Sequence, residues 1–89
     1  MVDKEKIKVK YDCNFEKIFR KIDNSYKIKV KKQIVKISQN PEIGKTMKSN
    51  RKGTREVYVS PFRLSYAFFL SDDEEDQGKG IYKLVFLDL

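Results

Sequence analysis

Residues 52–70, reading KGTREVYVSPFRLSYAFFL, constrain the fold more tightly than any other part of the chain. Two alternating runs lie on either side of Ser60-Pro61. Residues 55–60 place Val57 and Val59 on one face and Glu56 and Tyr58 on the other. Residues 62–70 place Phe62, Leu64, Tyr66, Phe68 and Leu70 on one face, with Arg63, Ser65, Ala67 and Phe69 opposite. A period of two is the mark of strands with one buried face. Pro61 has no N–H to contribute to a ladder, so it ends the first run and limits the hairpin geometry. Residues 81–89 are apolar on nearly both faces, as expected of a strand in the interior of a sheet.

The rest of the chain supplies cover for that sheet. In residues 7–13, Ile7, Val9, Tyr11 and Cys13 alternate with Lys8, Lys10 and Asp12, which predicts another strand with Cys13 as core filler. Asn14 offers an N-cap, and Phe15, Ile18, Phe19 and Ile22 follow at helical spacing. Residues 26–39 admit two readings. Tyr26, Ile28 and Val30 alternate with lysines as in a strand, whereas Tyr26, Val30, Ile34 and Ile37 gather within about 80° on a helix. Fourteen residues without Gly or Pro favour the helix, which leaves Ile28 and Val35 as a second apolar stripe. Asn40-Pro41 ends it, because a residue before proline is disfavoured in the helical region. The expected architecture is one α+β domain over residues 1–89, ordered β-α-α-β-β-β. A two-helix hairpin would pack on a mainly antiparallel four-stranded sheet.

Charge narrows the partners. The chain carries a net +7, yet Asp72, Asp73, Glu74, Glu75 and Asp76 form one acidic run, and setting those five aside leaves about +12 on the remainder. Such a field draws in polyanions, although lysine-rich usage also arises without a specific partner. Lys45, Lys48, Arg51, Lys52 and Arg55 crowd into eleven positions and read as residues that track a nucleic-acid backbone; a solvated basic loop is the alternative. The acidic run lacks the spacing of a calcium loop and reads as a solvated hairpin tip. With no histidine and one cysteine, zinc-site spacings and Ser-His-Asp or Cys-His nucleophile systems are excluded. No metal or other cofactor is expected. No apolar run approaches the roughly 18 residues of a membrane span, the N-terminus has no signal core, and a lone Cys13 fits a reducing cytosol, so a cytoplasmic protein is expected.

FEKIFRKID at 15–23, NPEIGK at 40–45, KGTREVYVSPFRLSY at 52–66 and IYKLVFLDL at 81–89, in this element order, resemble the RelE/ParE toxin superfamily. The resemblance spans about residues 7–89 and is sharpest at 40–45 and 53–66. It implies a small toxin of a type II toxin–antitoxin pair, restrained by a cognate acidic antitoxin. The RelE branch enters the ribosomal A site and cuts mRNA without a metal, the 2′-hydroxyl attacking the neighbouring phosphate. The ParE branch shares the fold and poisons DNA gyrase, and a relative that only binds RNA or antitoxin is a further alternative.

Arg63, within Phe62-Arg63-Leu64-Ser65-Tyr66, matches the family arginine that contacts the scissile phosphate, which makes it the implied catalytic residue. The chemistry agrees, since a guanidinium meets phosphate bidentately and stays charged; a cross-strand ion pair with Glu56 is the alternative. Lys45, Lys48, Arg51, Lys52, Arg55 and Tyr58 form the expected RNA-binding set, Tyr58 either stacking on a base or packing at the sheet rim. Ile28, Val35 and Arg63 are the expected antitoxin contacts. Glu56 and Tyr58 stand where ribonuclease members often carry basic residues. The family's general acid or base, which follows the last strand, would lie past Leu89.

Overall fold

The computed structural model describes residues 6–46 and 53–89. Strand β1 (Ile7–Tyr11) leads into helices α1 (Cys13–Lys21) and α2 (Asn24–Gln39). Strands β2 (Lys45–Thr46), β3 (Thr54–Val59), β4 (Phe62–Leu70) and β5 (Tyr82–Asp88) follow, with a 3-10 turn at Glu74–Asp76 before the last. The strands form one mixed sheet in the order β1-β5-β4-β3-β2. Every neighbouring pair is antiparallel except β1 and β5. That exception follows from the connection: the two helices carry the chain over the sheet, and β5 returns beside β1 in the same direction.

The α+β architecture agrees with the sequence, but the sheet has five strands where four were expected. Lys45 and Thr46 add the fifth by pairing with Glu56 and Arg55. Two residues are too short a run for alternation to reveal. Residues 26–39 are helical, and the predicted main stripe is the buried one. Val30 and Ile37 are fully enclosed, Ile34 packs beside them, and the Tyr26 ring meets Phe62 edge-on at 5.4 Å. The lysine alternation gave way to the longer period because a helix here buries a continuous face against the sheet.

The start of the first helix needs a correction. Its N-cap is Asp12, whose carboxylate accepts the Asn14 N–H at 3.0 Å, so Asn14 lies inside the helix. Cys13 is the first helical residue and is exposed. The helical turn takes it out of the strand alternation that marked it as core filler.

The core lies between the helix pair and one sheet face. Phe15, Val30 and Ile37 meet Leu64, Tyr66, Leu84 and Phe86 there, and the last four are entirely buried. An aromatic chain runs through it: Phe15 stacks on Tyr11 and Phe19, and Phe86 contacts Tyr11, Phe15 and Tyr66. No described helix is long and apolar enough to cross a membrane.

Candidate functional site

Register assigns side chains to the two sheet faces. Val57 lies opposite Leu64, and Val59 opposite Phe62; these belong to the helix-covered face. Alternation sends their neighbours the other way. Tyr58 therefore stands directly across from Arg63, and Glu56 across from Ser65, on the face without helices. Lys45 joins them opposite Glu56. Direct cross-strand neighbours have Cβ atoms about 5 Å apart and diagonal residues stand about 7–8 Å apart, their Cβ atoms somewhat closer, so Lys45, Glu56, Tyr58 and Arg63 share one patch. Arg63 and Tyr58 are exposed, Tyr58 by 67%. Among the described residues Arg63 makes no ion pair. The proposed ion pair with Glu56, a diagonal neighbour one row along the strand, is not formed.

Not every predicted RNA contact lies on this patch. Lys48, Arg51 and Lys52 fall outside the described residues. Arg55 is described, and it faces the other way: its register partner is the core residue Tyr66. Its guanidinium donates to the carbonyls of Glu42 at 3.1 Å and Gly44 at 2.9 Å. Arg55 thus fastens the segment between α2 and β2. Tyr66 works at the same junction. Its buried hydroxyl donates to the Pro41 carbonyl at 2.6 Å and accepts the Gly44 N–H at 2.9 Å. Gly44 is needed for this approach, since a Cβ there would lie 2.8 Å from the Tyr66 ring carbon Cε1. Burial raises the Tyr66 phenol above its ordinary value, with the Gly44 N–H and nearby Arg55 pulling the other way.

The acidic run departs from the expected solvated tip. Asp76 is buried and accepts from Lys8 Nζ at 2.9 and 3.0 Å and from Ser71 Oγ at 2.7 Å. Asp73 holds Lys83 at 2.7 Å. Lys8 and Lys83 are register partners on the helix-free face, so the run folds back and neutralises one end of that face. The bond from Lys8 lowers the Asp76 carboxyl below the usual range, helped by Ser71. Asp76 in turn raises Lys8, and Asp73 raises Lys83. Carboxylate oxygens of Asp73, Glu75 and Asp76 come within 4.8 Å of one another, but each of the three has a lysine partner, Lys83 for Asp73 and Lys8 for Asp76 and, at 3.9 Å, Glu75. At the opposite end Arg63 and Lys45 make no ion pair among the described residues, and Glu56 stands beside both.

A second surface lies on the helix side. A cavity of about 250 Å³ is lined by Tyr11, Phe15, Phe19, Arg20, Lys31 and Ile34, among others. A second of about 380 Å³ adjoins it through Tyr11 and Ile34 and reaches Val9 and Val35. Together they form a groove bounded by α1, α2 and β1, whose outer edge is the end of the sheet. Val35 therefore lines a groove. Ile28 is equally exposed but does not line either cavity. Arg63 lies beyond the sheet from both, so the three expected antitoxin contacts do not form one patch.

No protein-family model matches the chain, and no curated protein sequence does so. Among solved structures, a chain of the crystal structure of the intact E. coli RelBE toxin–antitoxin complex superposes with a TM-score of 0.65 at 17% identity. The match covers 90% of this chain and 89% of that one. At that identity the likeness speaks to fold, and the fold of this chain is RelE-like.

Proposed function

We propose that this chain is a single-domain, RelE-like toxin of a type II toxin–antitoxin pair, acting in the cytoplasm as a ribosome-associated endoribonuclease. The observation that carries this reading is Arg63: an exposed guanidinium without an ion pair, directly across from an exposed tyrosine, on the uncovered face of a RelE-like sheet. In this reading an mRNA 2′-hydroxyl attacks the adjacent phosphate, and Arg63 stabilises the charge that gathers on the non-bridging oxygens. Tyr58 gives a base a ring to stack on. Lys45, with Lys48, Arg51 and Lys52 from the neighbouring segment, follows the backbone. The charge on that segment supports the same partner.

The groove bounded by α1, α2 and β1 suits a segment of an acidic antitoxin. Its floor is apolar, Lys31 brings a cation to it beside the Arg20–Glu16 pair, and the free edge of β1 can accept an added strand. The RelBE chain that this fold resembles is part of such a complex.

The test is purified protein added to ribosomes translating a defined mRNA, with cleavage mapped by primer extension. Cleavage is expected within codons, and Arg63→Ala is expected to slow it by about 10²–10³-fold. Unchanged cleavage in Arg63→Ala would remove that residue from the mechanism. If nothing is cut, induction in cells separates the alternatives: DNA-damage signalling marks a gyrase poison, and normal growth marks a relative that only binds.

A further inference from the structure

The helix-free face brings one carboxylate into the company of Arg63 and Tyr58. Lys45, Glu56 and Ser65 stand in register across β2, β3 and β4, one row along from the Tyr58–Arg63 pair. Glu56 is half-buried. Among the described residues, no ion pair or hydrogen bond occupies its carboxylate. The other carboxylate near this row, Asp88, is across from Ser65 on β5 at a bulge, one strand further from Tyr58, and accepts the Leu89 N–H at 2.9 Å. Asp73, Glu75 and Asp76 gather with Lys8 and Lys83 at the far end of the face.

We propose that Glu56 is the proton acceptor of the cleavage reaction, a catalytic residue in its own right. The inference rests on the endoribonuclease reading above and fills the acid–base role which that reading leaves open. Glu56 and Arg63 are diagonal neighbours, a relation that spaces residues about 7–8 Å apart with their Cβ atoms somewhat closer. Their long side chains can therefore flank a single ribose-phosphate unit, the guanidinium on the phosphate and the carboxylate on the adjoining 2′-hydroxyl. Tyr58 lies two residues from Glu56 on the same face of β3, where a stacked base would fix the ribose between them. The charged and titratable groups around Glu56 are Lys45 from β2, Tyr58 from β3, Arg63 from β4 and Asp88 from β5.

The step is a balanced transesterification. The Glu56 carboxylate takes the 2′-hydroxyl proton as the 2′-oxygen bonds to phosphorus. The bond from phosphorus to the 5′-oxygen breaks, and that oxygen takes a proton from water. The products are a 2′,3′-cyclic phosphate and a free 5′-hydroxyl, and the Glu56 proton then passes to the hydroxide left behind. The competing account gives Glu56 only the task of separating the positive charges of Lys45 and Arg63.

The experiment is single-turnover cleavage of mRNA on ribosomes by the full chain, across a range of pH, for the unsubstituted protein, Glu56→Gln and Glu56→Asp. Ribosome binding is measured in parallel. Glu56→Gln is expected to slow cleavage about 10²–10⁴-fold, to abolish the acidic limb of the pH–rate profile, and to bind ribosomes as well as before or more tightly. Glu56→Asp is expected to keep part of the rate together with that limb. Cleavage by Glu56→Gln at the original rate and with the original pH profile overturns the proposal and leaves the endoribonuclease reading standing. Parallel loss of cleavage and binding overturns it in favour of a structural role. No cleavage by the unsubstituted chain overturns both readings.

Discussion

Replacing Tyr66 by phenylalanine tests how the patch is held in place. The ring would still fill the core against Phe86, so the change isolates the hydroxyl. That oxygen is bonded to the Pro41 carbonyl and the Gly44 N–H, and Pro41, Gly44 and Tyr66 are all buried. Phenylalanine leaves a donor and an acceptor without partners away from water. Each such group costs about 1–3 kcal/mol, and some relaxation of the segment brings the pair to about 2–4 kcal/mol. For a domain of this size 1 kcal/mol moves the midpoint by about 4–8 °C, so Tm should fall by roughly 10–25 °C. Thermal and urea unfolding followed by circular dichroism would measure the loss, and amide exchange at Gly44 would locate it. The pH dependence gives an independent check. Burial raises the phenol in the fold, so its contribution is complete below the ordinary tyrosine value near 10. It is lost as pH rises through the higher folded value, because the unfolded chain ionises first. Tyr66→Phe should lack this alkaline loss. A stability change under about 1 kcal/mol, with Gly44 still protected from exchange, would refute the argument that this hydroxyl anchors the segment leading to Lys45.

Two further substitutions separate structural charges from functional ones. Arg55→Met should cost about 1–2 kcal/mol through its lost bonds to Glu42 and Gly44. It should leave the salt dependence of ribosome binding unchanged, whereas a slope reduced by about one would return Arg55 to the phosphate-contacting set. Asp76→Asn should lower Tm at neutral pH by breaking the part-buried charged bond to Lys8. Because the folded Asp76 value is depressed, its contribution exists above the ordinary carboxylate value and is lost as pH falls through the folded one. The gap between wild type and variant should therefore close on acidification, and a gap of constant size would count against the Lys8–Asp76 bond as its source. The raised Lys8 predicts the mirror effect: its share is complete below the ordinary lysine value and disappears as pH rises through the folded one.

What could be read from the sequence was governed by range. The buried stripe of α2 and the two faces of β4 are repeats of 3.6 and 2 residues, and each shows in a window of a dozen positions. Arg63 was legible for the same reason, a cation at a polar step of an otherwise apolar strand. Arg55 was not, because its role depends on which face of β3 it takes and on carbonyls 11 and 13 residues away. Charge counting alone grouped it with Lys45, whose side of the sheet is opposite.

The acidic run shows the same limit at its greatest separation. Five successive acids before two glycines favour a solvated turn on every local criterion. The partner that overrides this, Lys8, is 68 residues away and is brought alongside only by the parallel pairing of β1 with β5. That pairing also sets where the field of the molecule is spent. Lys8 and Lys83 meet Asp76 and Asp73 at one end of the helix-free face, and Arg63 and Lys45 keep their charge at the other. Of those four cations, a polyanion approaching this face therefore finds unpaired only the two towards the Arg63 end, where Glu56 stands between Lys45 and Arg63. The net charge of the whole chain, spread evenly, would not have given that direction.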